Sequence, residues 1–186
     1  VAEPVVGAHD VCIEIHAAAL NRADLLQRQG KYPSPKGCPP WMGLEVAGVV
    51  RETGAAVTKW RKGDRVCALL GGGGYAEAVA VDEGMVMPIP GKLTFEEAAS
   101  LPEAYATCYL NLFREGGYRP GETLFFPAGA SGLASVGIPM AKAFGAYVIT
   151  SVLTDEIAEK IAPLQADRVI VSAREDTAQV IREEAE

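Results

Sequence analysis

One stretch has residue types and spacing suited to chemistry: Glu122-Thr-Leu-Phe-Phe-Pro-Ala-Gly-Ala-Ser-Gly-Leu-Ala-Ser-Val-Gly137. Its apolar run, Leu124 to Phe126, stops at a turn of small residues that includes Gly129, Ala130, Ser131 and Gly132. Glycines let a backbone approach a bound group closely. A helix that starts there offers unpaired N–H groups and a positive dipole end, which suit a pyrophosphate. Gly129-x-x-Gly132-x-Ala134 falls short of the full dinucleotide pattern G-x-G-x-x-G. Two readings therefore stay open: a phosphate cradle, or a turn and helix-packing motif that would suit any α/β domain.

Positioning such a turn takes a strand before it and a helix behind it. Leu133, Val136, Gly137, Met140, Ala141 and Phe144 recur at helical spacing and predict one buried helix face. Pro139 falls inside that helix, where it removes one backbone bond and is expected to kink it or to cost stability. A second strand follows from Tyr147 to Ile149, and Thr154 is placed to cap a helix whose core face is Ile157, Ile161 and Leu164. Arg168 to Val171 reads as a third strand, and the charged stretch from Arg174 as a last helix with Val180 and Ile181 inward. Alternating strands and helices predict a parallel sheet of the doubly wound kind, of which three strands make one half.

The first hundred residues read differently. Val11, Ile13, Ile15 and Ala17 alternate with Cys12, Glu14 and His16, as in a half-buried strand. A short helical turn carries Asn21, Asp24 and Arg28, with Arg28 spaced to pair with Asp24, and it stops at Gly30. Four prolines between Pro33 and Pro40 preclude regular structure. Further short strands are expected over 43–50, 66–70 and 75–81, the last two separated by Gly71 to Gly74. Thr94-Phe-Glu-Glu97 is a capping box for a helix that Pro102 interrupts, and a helical run over 103–114 follows. The reading is a β-rich domain over 1–98 and a dinucleotide-binding domain over 99–186.

Composition narrows the function classes. The net charge is −7, with acids and bases interspersed, which argues against a nucleic-acid surface. No apolar run approaches the roughly 20 residues that span a bilayer. Val1-Ala-Glu-Pro4 has neither the basic start nor the apolar core of a signal peptide. Cys12, Cys38, Cys67 and Cys108 form no C-x-x-C pair and read as reduced thiols, so a cytoplasmic protein is expected. His9 and His16 have no partner at metal-ligand spacing, and neither is expected in catalysis.

Leu20-Asn-Arg-Ala-Asp24, Arg28-Gln-Gly-Lys-Tyr32, Gly43-Leu-Glu45, Gly63-Asp-Arg-Val66, Leu101-Pro-Glu-Ala104 and Ala128-Gly-Ala-Ser-Gly132, in that order, resemble the zinc-less quinone oxidoreductases. These belong to the medium-chain dehydrogenase/reductase superfamily, and the likeness is to its p53-inducible quinone oxidoreductase-like branch. The resemblance implies a GroES-like N-terminal domain, a Rossmann-like cofactor domain and an active site in the cleft between them. It further implies NADPH as cofactor, a quinone or related conjugated carbonyl as substrate, and a homodimer or higher homo-oligomer. Both ends of the family pattern lie outside this chain, which therefore looks partial, with only the first half of the cofactor sheet.

Zinc-dependent relatives place a Cys near Asn21 and a His in the middle of a G-H-E motif. Here the second position is Leu44, and neither an amide nor a leucine replaces those ligands, so no zinc is expected. The resemblance puts Asn21 and Asp24 by the nicotinamide end and Tyr32 in the substrate cleft. From the residues alone Asn21 equally reads as a turn residue, Asp24 as a helix cap and Tyr32 as a packing aromatic, and Glu45 reads as a structural acid. By the same likeness Thr107 lies near the nicotinamide or ribose, Gly129 to Leu133 cradle the pyrophosphate, and Thr154 lies on the cofactor side of the next turn. Cofactor choice follows from two features. Thr150-Ser151-Val152 lacks the acid that an NAD site places at the end of its second strand, which points to NADP. Where the family has a basic residue for the 2′-phosphate, however, this chain has Asp155-Glu156-Ile157. The other readings carried by the scaffold are an enoyl thioester reductase and a non-catalytic cofactor-binding or regulatory protein.

Overall fold

A computed structural model describes residues 2–184, and the alternation that begins at Val11 is there a strand, β1 (Asp10–Ala18). Val11 and Ile13 are fully buried, while Glu14 and His16 face outward. Cys12, expected on the outer face, is buried as well, so that face opens only from Glu14 onward. α1 (Arg22–Arg28) follows, then β2 (Glu45–Thr53), β3 (Arg65–Leu69), β4 (Ala78–Asp82) and β5 (Val86–Pro88). All pairings are antiparallel, in the order β4-β1-β2-β3-β5. Valines dominate the core (Val11, Val46, Val50, Val66, Val79, Val86), as β-branched residues suit a pleated, buried surface. The other face takes α2 (Phe95–Ala99), whose Ala98 and Ala99 pack on Ala47 and Cys67. Its capping box is present: Thr94 Oγ1 accepts from the Glu97 N–H at 3.2 Å, and Glu97 reaches back to the Thr94 N–H at 2.8 Å.

The chain divides into two compact units, Val1–Glu103 and Ala104–Glu186. α3 (Pro102–Tyr109) spans that division and runs into a π-helical turn, Leu110–Glu115, so the run expected as one helix changes hydrogen-bond pattern at Leu110. In the second unit β6 (Thr123–Phe126), α4 (Gly132–Ala143), β7 (Tyr147–Val152), α5 (Asp155–Ile161), β8 (Arg168–Val171) and α6 (Thr177–Glu184) alternate. The three strands are parallel in the order β6-β7-β8, which is one half of a doubly wound sheet.

α4 buries a face rotated from the expected one: Gly137 and Ala141 are buried as expected and Val136 and Met140 half-buried, but Ala134 and Ile138 take the place of Leu133 and Phe144. Ala134, Gly137, Ile138 and Ala141 are buried, whereas Leu133 and Phe144 are 43% and 50% exposed. Ile138 fills the core there, and the small residues Ala134, Gly137 and Ala141 beside it let the helix lie close to the sheet. A Cβ on Gly137 would sit 2.4 Å from Phe126 Cε1 and 3.1 Å from Cys108 Sγ. Pro139 is exposed, and the helix continues through it to Ala143.

Candidate functional site

In the first unit the polar residues around α1 form a buried network. Asn21 is the N-cap, and Asp24, at the third helical position, turns its carboxylate inward and is 3% exposed. Three donors hold it. The Asn21 N–H reaches Oδ2 at 2.8 Å, the Tyr75 hydroxyl reaches Oδ2 at 2.8 Å, and the Gly43 N–H reaches Oδ1 at 3.0 Å. Asp24 therefore does not pair with Arg28, the partner expected from the four-residue spacing. A buried carboxylate with three donors at hand has no reason to reach for an exposed guanidinium.

Asn21 is tied at a second point. Its side-chain amide donates to Glu45 Oε1 at 2.9 Å, and Glu45 Oε2 accepts the Glu103 N–H at 2.8 Å. Glu45 is 2% exposed, and burial pushes its carboxyl above the usual glutamate range, although these two donors pull the other way. Burial, with the neighbouring Asp24 carboxylate, likewise pushes the Tyr75 phenol up. A carboxylate can only accept, so an ionised Glu45 fixes which end of the Asn21 amide faces it.

Glycines make this arrangement possible. Gly43 has φ +105°, and a Cβ there would lie 2.4 Å from the Tyr75 nitrogen. Segment 41–44 is stitched to 70–75 by Leu70 N–H to Leu44 O (2.7 Å), Gly74 N–H to Gly43 O (3.0 Å) and Tyr75 N–H to Met42 O (3.1 Å). The stitching carries the Tyr75 hydroxyl to Asp24. The structure thus brings Asn21 and Asp24 together and leaves Tyr32 apart from their network. Tyr32 lies past α1, 40% exposed, and its hydroxyl has no partner among the described residues. Sequence reasoning did not find Tyr75 or the Gly43 N–H as partners of Asp24. The Gly71 to Gly74 run was the available signal that another backbone passes close by.

In the second unit the turn between β6 and α4 is held from three sides. The Gly129 N–H donates to Ser151 O at 2.8 Å, the Ser131 N–H to Ala128 O at 2.8 Å, and Thr150 Oγ1 to Phe126 O at 2.7 Å. Ala128 takes φ +55°, a conformation uncommon for a residue with a Cβ. Ser131 caps α4, its Oγ accepting the Ala134 N–H at 3.2 Å. The Gly132 and Leu133 N–H groups have no acceptor among the described residues.

The three glycines of this segment are not alike. A Cβ on Gly129 would meet Thr150 Oγ1 at 2.5 Å, and one on Gly137 would meet the Phe126 ring. A Cβ on Gly132 would meet nothing within 4 Å. Two glycines are therefore explained by packing, and Gly132 stands before open space at the helix start. Gly129 to Leu133 are together at this turn. Thr154 lies beyond β7 as the cap of α5, its Oγ1 accepting the Ile157 N–H at 3.4 Å. Thr107 lies on α3, half-buried, its carbonyl accepting from the Asn111 amide at 2.8 Å.

Among the described residues no group of three or more His, Cys, Asp or Glu side chains is placed to hold a metal ion, and no helix is long and apolar enough to cross a membrane. The four cysteines are free thiols: Cys12, Cys67 and Cys108 are buried and Cys38 is half-buried.

Residues 7–91 match the alcohol dehydrogenase GroES-like domain family. A quinone oxidoreductase-like protein 2 homolog of Nematostella vectensis is 40% identical over 147 residues, covering 77% of this chain and 40% of that protein. The crystal structure of a Pseudomonas syringae quinone oxidoreductase superposes with a TM-score of 0.84 at 33% identity, over 97% of this chain and 55% of that one. An Escherichia coli quinone oxidoreductase, solved as a complex with NADPH, superposes with a TM-score of 0.83 at 29% identity, over 96% and 55%. The chain thus spans about half the length of the proteins it matches. Taken with the five-stranded antiparallel sheet and the parallel β6-β7-β8 half-sheet, these matches make residues 7–91 an alcohol dehydrogenase GroES-like domain and the chain, over nearly its whole length, similar to quinone oxidoreductases.

Proposed function

We propose that this chain belongs to an NADPH-dependent oxidoreductase that reduces a quinone or related conjugated carbonyl without a metal. The observation that carries the reading is the start of α4. Gly132 faces open space beside two N–H groups that lack acceptors, at the carboxyl edge of a parallel sheet. That is the geometry a pyrophosphate needs, and a side chain at residue 132 would fill it. The residues fit the group: Gly129, Ala130, Ser131, Gly132 and Leu133 would hold the pyrophosphate, with Thr107 and Thr154 as further contacts.

A reduced nicotinamide supplies a hydride when bound. What this chain's residues do is bind, orient and exclude water. Asn21 has its amide fixed by Glu45 and its backbone by Asp24, and so offers a polar group of settled orientation. The Tyr32 hydroxyl, unpaired among the described residues, is available to donate to an acceptor oxygen. Asp24 has both oxygens occupied and acts by holding Asn21 and residue 43 in place. NADP is favoured over NAD because Thr150-Ser151-Val152 provides no acid for a ribose diol.

The test is oxidation of NADPH, followed by its absorbance, with 1,2-naphthoquinone in one arm and crotonyl thioester in the other. Turnover in the first arm is the expected result. Turnover only in the second would replace the reading with an enoyl thioester reductase, and binding without turnover in either would leave a non-catalytic cofactor-binding protein.

A further inference from the structure

The departure at Asp155-Glu156-Ile157 has a structural counterpart on the next strand. β7 and β8 are parallel, so their carboxyl ends share one edge of the sheet. The turn after β6 is tied to the end of β7 by the Gly129 N–H on Ser151 O. The loop after β8 is tied to it by the Ser172 N–H on Val152 O at 2.9 Å. A dinucleotide seated on the β6–α4 turn would carry its adenosine ribose past the end of β7, toward that loop.

Arg174 stands in the loop. Its Nη2 donates to Asp155 Oδ1 at 2.9 Å, and its Nη1 lies 3.9 Å from Glu175 Oε1. The guanidinium thus bridges the ends of β7 and β8. The neighbouring acids have their own partners. Glu156 pairs with Lys160 at 2.7 Å, Glu175 with Arg168 and the Val171 N–H, and Asp176 accepts the Gln179 N–H at 3.0 Å. Arg174 and Asp155 are 60% and 69% exposed, and a pair so exposed contributes little and exchanges readily. A phosphate offers the same planar fork a stronger, bidentate partner.

We propose that Arg174 is the residue that selects the 2′-phosphate of an NADP-type adenosine, with the Asp155 carboxylate holding its place until the phosphate arrives. The proposal rests on the reading of this edge as a dinucleotide site. It replaces the missing basic residue after β7 with one from the loop after β8.

Calorimetric titration of the protein with adenosine 2′,5′-bisphosphate and with AMP tests it, since the two probes differ only in the 2′-phosphate. Wild type is expected to prefer the bisphosphate. Arg174→Ala should weaken the bisphosphate about tenfold, as befits loss of a charge-assisted bidentate contact, and leave AMP within about twofold. Asp155→Asn frees the guanidinium and should tighten the bisphosphate by roughly threefold, on the scale of an exposed ion pair. The proposal is overturned if Arg174→Ala affects both probes alike or neither, or if Asp155→Asn weakens AMP, which would make Asp155 a ligand of the ribose hydroxyls. Equal binding of the two probes to wild type would sink the assignment of Arg174 and leave the dinucleotide site standing. Failure of both to bind would remove that site as well.

Discussion

Asp24 is the residue on which the first unit's polar network converges, and replacing it by Asn separates a framework role from a chemical one. The change keeps size and shape and alters only hydrogen-bond sense. Three donors point at the two carboxylate oxygens, from Asn21, Gly43 and Tyr75. An amide has one oxygen. If that oxygen takes the Oδ2 position, the Gly43 N–H faces an NH2 group; if it takes the Oδ1 position, the Asn21 N–H does. Either way one buried backbone donor is orphaned, at about 1–3 kcal/mol, and the remaining bonds lose their charge assistance. Part of this is offset because a buried charge disappears. Asp24→Asn is therefore expected to cost about 2 kcal/mol. Tyr75→Phe, which removes one donor and orphans no other, should cost about 1 kcal/mol, and Asp24→Ala, which orphans the Asn21 and Gly43 N–H groups while the Tyr75 hydroxyl keeps the Ala19 carbonyl at 3.3 Å, about 3 kcal/mol. Trp41 and Trp60 both lie in the first unit, so urea unfolding followed by tryptophan fluorescence reads the right part of the chain. An Asp24→Asn protein within about 0.5 kcal/mol of wild type, or less affected than Tyr75→Phe, would refute the assignment of Asp24 as a satisfied framework carboxylate.

Glu45 supplies a pH signature of known sign. Burial raises its carboxyl pKa in the folded state, so folding takes up a proton between the unfolded value and the raised one. Its contribution is fully present below the ordinary glutamate range and is lost as pH rises through the folded value. Wild type minus Glu45→Gln should show stability declining over that window, and a difference flat with pH would contradict it. Asp167 gives the opposite slope. Burial alone would raise its pKa, but the Lys142 ammonium at 2.6 Å and the Val148 N–H at 2.7 Å outweigh that and hold it low. Its stabilisation is lost as pH falls through that lowered value, and Lys142→Met should abolish the acid-side decline in thermal melts. The α4 glycines predict a dissociation of two properties. Gly137→Ala drives a methyl into Phe126 and should cost about 1–3 kcal/mol, whereas Gly132→Val meets open space and should leave the melting temperature nearly unchanged while abolishing binding of NADPH followed by its fluorescence. Equal destabilisation by the two would remove the distinction drawn between these glycines.

What the sequence made legible was local. Thr94 and Glu97 are three apart, and a capping box is closed by chemistry within one turn, so it is readable before any fold is known. The strand Arg168–Val171 is an unbroken β-favouring run and falls where the reading put it. The α4 face was legible only in part, with Gly137 and Ala141 buried as expected, because periodicity ranks residues by hydrophobicity, whereas the helix was seated by steric allowance. Ala134, Gly137 and Ala141 bury because they are small enough to let β6 approach, and Leu133 and Phe144 are turned out although more apolar. The Asp24 network failed for a different reason. The local rule offered Arg28, four residues on, but the donors that hold Asp24 come from Gly43 and Tyr75, 19 and 51 residues away. Once buried, a carboxylate takes the partners the fold delivers, and the fold delivers Tyr75 only because Gly43 and Gly74 let two backbones touch. The same logic governs Arg174. The first charged residues along the chain after β7 are the acids Asp155 and Glu156, and Lys160 beyond them is paired with Glu156, while the guanidinium arrives from the loop of the adjacent strand, 19 residues beyond Asp155. Parallel sheets gather residues at one edge from segments separated by whole helices. A cofactor subsite on such an edge is therefore readable from sequence only as far as each strand's own turn, and its selectivity has to be sought on the neighbouring strand.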